Sequence, residues 1–262
     1  ALRRSLNLVT VRVLQNLIRK PSLVVEYAHK MGIKSHLDPV DAIALGASDV
    51  TPLEITSAYG VFANGGVRVE PMAILRVEDQ NGNVLEENYP KRQEVLRKQT
   101  AYIMTDLLQT VINRGTGARA RYMYHFYPPA AGKTGTTNDY SDAWFIGFTP
   151  LVVTGVWVGI DDYTISLGKG QTGSRAALPI WANYMKCLYD TLNLPPVKFE
   201  MPEGVVRVKI CADTKKLAND ICPNKIDEVF ETKFAPTEYC DKHVNLFSPN
   251  RNKRKKKGRI RF

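Results

Sequence analysis

The sequence predicts an α+β fold, an antiparallel sheet with helices packed on it, from three observations. Helical periodicity dominates up to about Asn113, one hairpin aside; the period changes at Ala130 to consecutive short strands; and Ala176 to Tyr189 returns to a helical pattern. Helices, then a sheet of neighbouring strands, then a closing helix give a layered domain. No internal repeat is evident.

Each element has its own justification. In the second half of residues 1–19, Val9, Val13, Leu14 and Leu17 fall on one stripe, which predicts a helix. Pro21 opens a second helix that ends near Gly32. Thr51-Pro52-Leu53-Glu54 carries three start signals: a threonine cap, proline at the first position, and glutamate placed to complete a capping box. That helix stops at Asn64-Gly65-Gly66. Ile74 to Asp79 and Val84 to Asn88 flank Asn81-Gly82, a turn signal between two strands. From about Arg97 to Asn113 an amphipathic helix is predicted, with Ile103, Leu107 and Val111 on its buried face, ended by Gly115 and Gly117. Residues 130–137, 142–149 and 151–159 read as strands joined by tight turns, one at Thr149-Pro150. Pro195-Pro196 marks a boundary. The predicted organisation is a main domain over 1–195, a small cysteine-containing region over 196–250, and a basic, disordered tail over 251–262.

Composition narrows the function classes. With 44% hydrophobic and 24% charged residues, the chain is an ordinary globular protein, not a disordered or collagen-like one. No run approaches the ~18 apolar residues of a membrane span. The start, Ala1-Leu2-Arg3-Arg4-Ser5, has neither an initiator Met nor a signal-peptide core, so it reads as the interior of a longer chain with any anchor or export signal upstream. The net charge of +10 sits largely between Arg251 and Arg261, which hold eight cations and no acid. Such a tail is solvated, or drawn to an anionic membrane or wall polymer. The body is only mildly basic, and no nucleic-acid partner is expected. Of the four cysteines, Cys187 falls in an apolar helical pattern and reads as a buried thiol. Cys211, Cys222 and Cys240 lie in the loop-rich end, where a disulfide fits an extracytoplasmic domain. Cys240 with His243 looks like half of a zinc site, but no paired C-x-x-C accompanies it, and no metal or other cofactor is predicted.

The segment Ala130 to Pro150 carries the chemistry. In a strand, Thr134 and Thr136 project to one side and Lys133 to the other, while Gly132 and Gly135 leave the main chain open to close approach. Such an edge suits an extended peptide ending in a carboxylate: the backbone adds the ligand as a further strand, and the cation and hydroxyls satisfy the anion. Edge strands also use lysine and glycine simply to discourage aggregation, and these residues alone do not decide between the two.

Lys133-Thr134-Gly135-Thr136 resembles the K-T-G-T box of penicillin-binding proteins and serine β-lactamases. The flanks, Ala131-Gly132 before it and Thr137-Asn138-Asp139-Tyr140-Ser141-Asp142-Ala143-Trp144 after it, are similar to class A, bifunctional penicillin-binding proteins. Ser5-Leu6-Asn7 resembles the S-x-N box, and further segments follow in the family's order. These are Ala44-Leu45-Gly46 with Val50 to Glu54, Phe62 to Gly66, and Asn113-Arg114-Gly115-Thr116-Gly117. On its own Ser5 reads as a helix cap rather than a catalytic residue; its place before the other blocks favours the catalytic role.

The resemblance implies an incomplete penicillin-binding, serine β-lactamase-like transpeptidase fold. It implies peptidoglycan stem peptides ending in D-Ala-D-Ala as substrates and β-lactam antibiotics as inhibitors. In the family, a serine in S-x-x-K attacks the penultimate carbonyl, D-Ala leaves, and a neighbouring amine resolves the acyl-enzyme. Carried onto this chain, Ser5 would relay a proton to the leaving nitrogen. Asn7 would hold the substrate amide and the S-x-x-K lysine. Lys133 would supply positive potential and hold Ser5. Thr134 and Thr136 would bind the terminal carboxylate, with Gly135 leaving the strand open between them. The Thr136 N–H would form half of an oxyanion hole.

One part is missing. The only S-x-x-K string, Ser166-Leu167-Gly168-Lys169, follows the K-T-G-T box, against the family's order, and is set aside. This chain alone is therefore expected not to acylate; the nucleophile belongs to an N-terminal part of the same protein. Two other motifs fail on context. Gly132-Lys133-Thr134 lacks the leading glycine of a phosphate-binding loop, since Tyr127 stands there. Gly168-x-Gly170-x-x-Gly173 lacks the following parallel strand of a dinucleotide site. Trp144, Phe145 and Phe148 read as sheet core.

Overall fold

A single 3-10 turn over Leu2–Arg4 opens the chain in the computed structural model, which describes residues 1–162 and 164–243. Helix α1, Asn7–Val13, runs straight into a π-helical turn over Leu14–Ile18, closed by a 2.6 Å bond from Arg19 N–H to the Leu14 carbonyl. Helix α2 spans Pro21–Lys30. Helix α3, Pro52–Ala63, has its full capping box: Glu54 N–H donates to Thr51 Oγ1 at 3.2 Å and Thr51 N–H to Glu54 Oε2 at 3.1 Å. The same carboxylate accepts from the Ser35 hydroxyl at 2.6 Å and from the Lys34 and Ser35 amides. The Ser35 hydroxyl first, then the Thr51 and Lys34 amides, hold it down to about 2.

Strand β1 (Val67–Val69) pairs antiparallel with β4 (Arg92–Glu94), and between them β2 (Arg76–Glu78) and β3 (Val84–Glu87) form the hairpin predicted around Asn81-Gly82. Helix α4, Lys98–Arg114, buries Ala101, Thr105, Leu108, Val111 and Ile112, whereas Ile103 and Leu107 are only half-buried. The stripe is therefore rotated from the one predicted. Small and polar residues take the closest approach, with the Thr105 hydroxyl on the Phe62 carbonyl of α3, and a hydrophobic pattern does not register them. The short helix α5 follows over Arg119–Tyr122.

The three predicted strands are β5 (Ala131–Thr136), β6 (Asp142–Phe148) and β7 (Val153–Gly159), and the closing helix α6 is Ala177–Thr191. The sheet is antiparallel in the order β5-β6-β7, so β5 is an edge strand, with Lys133 opposite Ile146 and Thr134 opposite Phe145. Helix α6 covers one face. Its Trp181 is fully buried, edge-on to Phe145 and Phe126 at ring separations of 4.9 and 5.3 Å. Helices α3 and α4 cover the other face through Phe148, Ala131, Leu108 and Tyr59. This is the α+β architecture expected, with Phe145 and Phe148 in the core. Cys187 departs from expectation: it is exposed on α6, because the buried stripe runs through Leu178, Trp181, Met185 and Tyr189 and passes it by.

Ala1–Glu200 forms one structural unit and a second begins at Met201. The second is built on the antiparallel pair β8 (Val205–Cys211) and β9 (Lys225–Glu231). The tail predicted over 251–262 lies outside the described residues.

Candidate active site

The edge strand β5 brings Lys133 to Ser5. Lys133 Nζ donates to Ser5 Oγ at 2.8 Å and to the carbonyl of Thr134 at 2.6 Å, joining residues 128 apart in the chain. Burial holds the Lys133 ammonium below its ordinary value, since a half-buried cation loses water that two neutral acceptors only partly replace.

Ser5 sits just after the first 3-10 turn in left-handed backbone (φ 51°, ψ 51°), a conformation that costs a non-glycine residue about 1–2 kcal/mol. It is not the side-chain helix cap that Ser5 by itself suggests: helix α1 has no side-chain cap bond, and Leu6 occupies the cap position. The turn carrying Ser5 is anchored at the end of α4, where Thr116 N–H donates to the Arg3 carbonyl at 3.1 Å. Gly115 makes this possible, because a Cβ there would collide with the Arg3 carbonyl oxygen.

The two threonines differ. Thr134 is buried, and its hydroxyl shares a 2.9 Å hydrogen bond with that of Thr116. Thr136 is exposed, and its Oγ1 accepts the Gly173 N–H at 3.0 Å, which leaves its own proton available to a ligand. Gly135 lies between them, half-buried on the strand edge. Asn7, the first residue of α1, is exposed, and its side chain makes no hydrogen bond among the described residues. Sequence reasoning gave Thr116 and Gly173 no role at this strand, although the Asn113-to-Gly117 block had marked the first as part of a pattern. Ser166, in the discarded S-x-x-K string, donates its hydroxyl to the Asp139 carbonyl and accepts the Gly168 N–H, so it closes a loop.

The family model described as the penicillin binding protein transpeptidase domain matches residues 28–186. The chain belongs to the penicillin-binding protein transpeptidase family. A second model, penicillin-binding protein 1A, C-terminal domain, matches residues 201–245. Ser5 and Asn7 precede both matched spans. Penicillin-binding protein 1A of Aquifex aeolicus is 44% identical over 222 residues, covering 85% of this chain and 29% of that protein. The Pseudomonas aeruginosa protein of the same name is 33% identical over 287 residues, covering 90% of this chain and 34% of that protein. The chain thus spans roughly a third of the length of these relatives. Among solved structures, penicillin-binding protein 1A from Haemophilus influenzae superposes with a TM-score of 0.81 at 29% identity, covering 91% of this chain and 40% of that one. PonA1 from Mycobacterium tuberculosis in complex with penicillin V has a TM-score of 0.61 at 24% identity over 73% of this chain and 55% of that one, a likeness of fold alone.

Proposed function

We propose that this chain supplies the substrate-aligning part of a peptidoglycan D,D-transpeptidase. In this reading it provides the S-x-N and K-T-G-T motifs, while the S-x-x-K nucleophile comes from the N-terminal part of the same protein. The contact between Lys133 Nζ and Ser5 Oγ supports it most directly, because it sets a half-buried cation and a hydroxyl side by side at an unpaired sheet edge. A D-Ala-D-Ala stem peptide adds along β5 by main-chain hydrogen bonds, which orient its penultimate carbonyl before any chemistry.

As the nucleophilic serine bonds to that carbonyl carbon, its hydroxyl proton passes to the S-x-x-K lysine. As the C–N bond breaks, Ser5 gives its own proton to the departing nitrogen and regains one from that lysine, while Lys133 keeps its charge and its hydrogen bond to the Ser5 oxygen. Thr136 O–H and the Lys133 charge receive the terminal carboxylate, and the Thr136 N–H stabilises the oxyanion. The buried Thr134 hydroxyl, tied to Thr116, shapes the strand more than it binds the anion. Asn7 faces the acyl amide and the lysine of S-x-x-K. β-Lactams enter as mimics of the dipeptide and leave a stable acyl-serine. The reaction belongs at the extracytoplasmic face of the bacterial membrane; no helix among the described residues is long and apolar enough to cross one.

The test is labelling by fluorescent penicillin. A polypeptide in which a family S-x-x-K segment precedes this chain takes up label covalently, and this chain by itself does not. Absence of label on the longer polypeptide would favour a non-catalytic, peptide- or β-lactam-sensing module on the same fold.

A further inference from the structure

The second unit gathers four metal-binding side chains that the first unit's chemistry does not use. We propose that Cys211, Cys222, Cys240 and His243 form a structural zinc site. The four come from three stretches of chain: the last residue of β8, the loop before β9, and the segment after it. Their donor atoms all lie within 4.8 Å of one another, and His243 Nδ1 is 3.4 Å from Cys211 Sγ and 3.3 Å from Cys240 Sγ. Zinc bonds of ~2.3 Å to sulfur and ~2.0 Å to nitrogen require tetrahedral edges of about 3.5–3.8 Å, so the side chains stand close to the needed positions. Three sulfurs and one imidazole are a closed donor set that favours zinc among common divalent ions.

The surroundings orient the ligands. His243 Nε2 is 3.4 Å from Asp213 Oδ2, a carboxylate partner that fixes the tautomer with Nδ1 free to bind. The Asn219 side chain donates to the carbonyls of Cys240 at 3.0 Å and His243 at 2.7 Å, and its backbone N–H points to Cys222 Sγ at 3.4 Å, which ties the loop before β9 to the segment after it. Leu217 adds main-chain bonds on both sides, to Glu238 and Cys240. On binding, each of the three thiols releases its proton to solvent as its sulfur bonds the metal, and Cys222 gives up its hydrogen bond to Asn219 Oδ1. Two positive charges meeting three thiolates leave one negative charge, and Lys242, 2.8 Å from Asp213, stands beside it.

The energetic reason is size. The three cysteines are themselves a buried cluster of this unit, and among the described residues Ala218 is the hydrophobic neighbour packed against it. Units below ~70 residues commonly need a metal or disulfides to hold together, and this one runs from Met201 to Phe262. Spacing hid the site because Cys240-x-x-His243 pairs with two cysteines that only the β8–β9 fold brings near. This inference does not rest on the transpeptidase reading.

The experiment measures metal content by plasma mass spectrometry on the whole tag-free chain, purified without chelator and with its thiols reduced. One zinc per chain is expected, falling to background in Cys222→Ser and His243→Ala. Cobalt(II) added to the metal-stripped chain is expected to give thiolate-to-cobalt charge transfer with tetrahedral visible bands, a readout that needs no variant to fold. Zinc retained by both variants, no metal uptake by a chain whose three thiols titrate as free, or an intact mass showing a disulfide among these cysteines would each overturn the proposal.

Discussion

Replacing Gly147 by alanine drives a methyl group into the indole that holds the sheet to α6. A Cβ at that position lies 2.6 Å from Trp181 Cε2 and Cζ2 and 2.8 Å from Phe145 Cε1. Ordinary carbon contacts begin near ~3.5 Å, so the overlap is close to 1 Å. Neither ring has room to retreat: both are fully buried, and Trp181 Nε1 donates to the Gly147 carbonyl at 3.3 Å. Overpacking of this kind costs about 1–3 kcal/mol. Trp181→Leu alone costs on the order of 2–4 kcal/mol through lost contacts and a cavity. In that background the alanine methyl enters space the indole has vacated, so most of its cost disappears. The expected coupling is about 1–2 kcal/mol, well above the ~0.5 kcal/mol scatter of independent sites. Urea unfolding of the four proteins, followed by far-ultraviolet circular dichroism, measures it, and the second unit's contribution cancels in the differences. Equal costs of Gly147→Ala in both backgrounds would refute the packing of β6 on α6 described above.

Three further outcomes follow from the site and its frame. Glu54→Gln lowers stability at neutral pH because it removes the charge and turns one of the two oxygens that accept from Ser35, Thr51 and Lys34 into a donor. The folded carboxyl is held down to about 2, so its contribution is complete above the unfolded value near ~4.3 and is lost as pH falls toward 2; a pH-independent difference in melting temperature would count against it. Thr116→Val leaves the buried Thr134 hydroxyl without its partner and costs about 1–3 kcal/mol, whereas adding Thr134→Val to it costs little more; strictly additive melting shifts would contradict the pairing. Acylation by penicillin in the longer polypeptide declines on the alkaline side below pH 10.5, because burial lowers the pKa of Lys133 and the cation is lost as pH rises through that value. The unfolded chain still holds the proton in that window, so stability rises with pH there. A decline only at the ordinary lysine value would reject the assignment.

Much of the frame was legible in the sequence because it is local. Capping chemistry at Thr51 and Glu54, the Asn81-Gly82 turn and the period change at Ala130 fix elements within a residue or two of where they lie. Strands β1 and β4 escaped, since three residues each are too few to show alternation. Strands β8 and β9 do alternate, but the cysteines and turn residues around them give the segment the look of a loop-rich end. The approach of Ser5 to Lys133 was legible only through the order of family motifs, because no local pattern links residues 128 apart. Thr116 meeting Thr134, and Gly173 meeting Thr136, depend on loop paths that periodicity does not encode.

The most direct measurement is the rate constant of acylation by fluorescent penicillin in the longer polypeptide, compared among the parent, Ser5→Ala, Lys133→Ala and the double variant. If Lys133 and Ser5 act as one proton-handling unit, each single change slows acylation by ~100-fold or more, and the double change slows it little further. Parent-like rates in either single variant, or losses that simply multiply in the double, would contradict the shared role of the 2.8 Å contact between them.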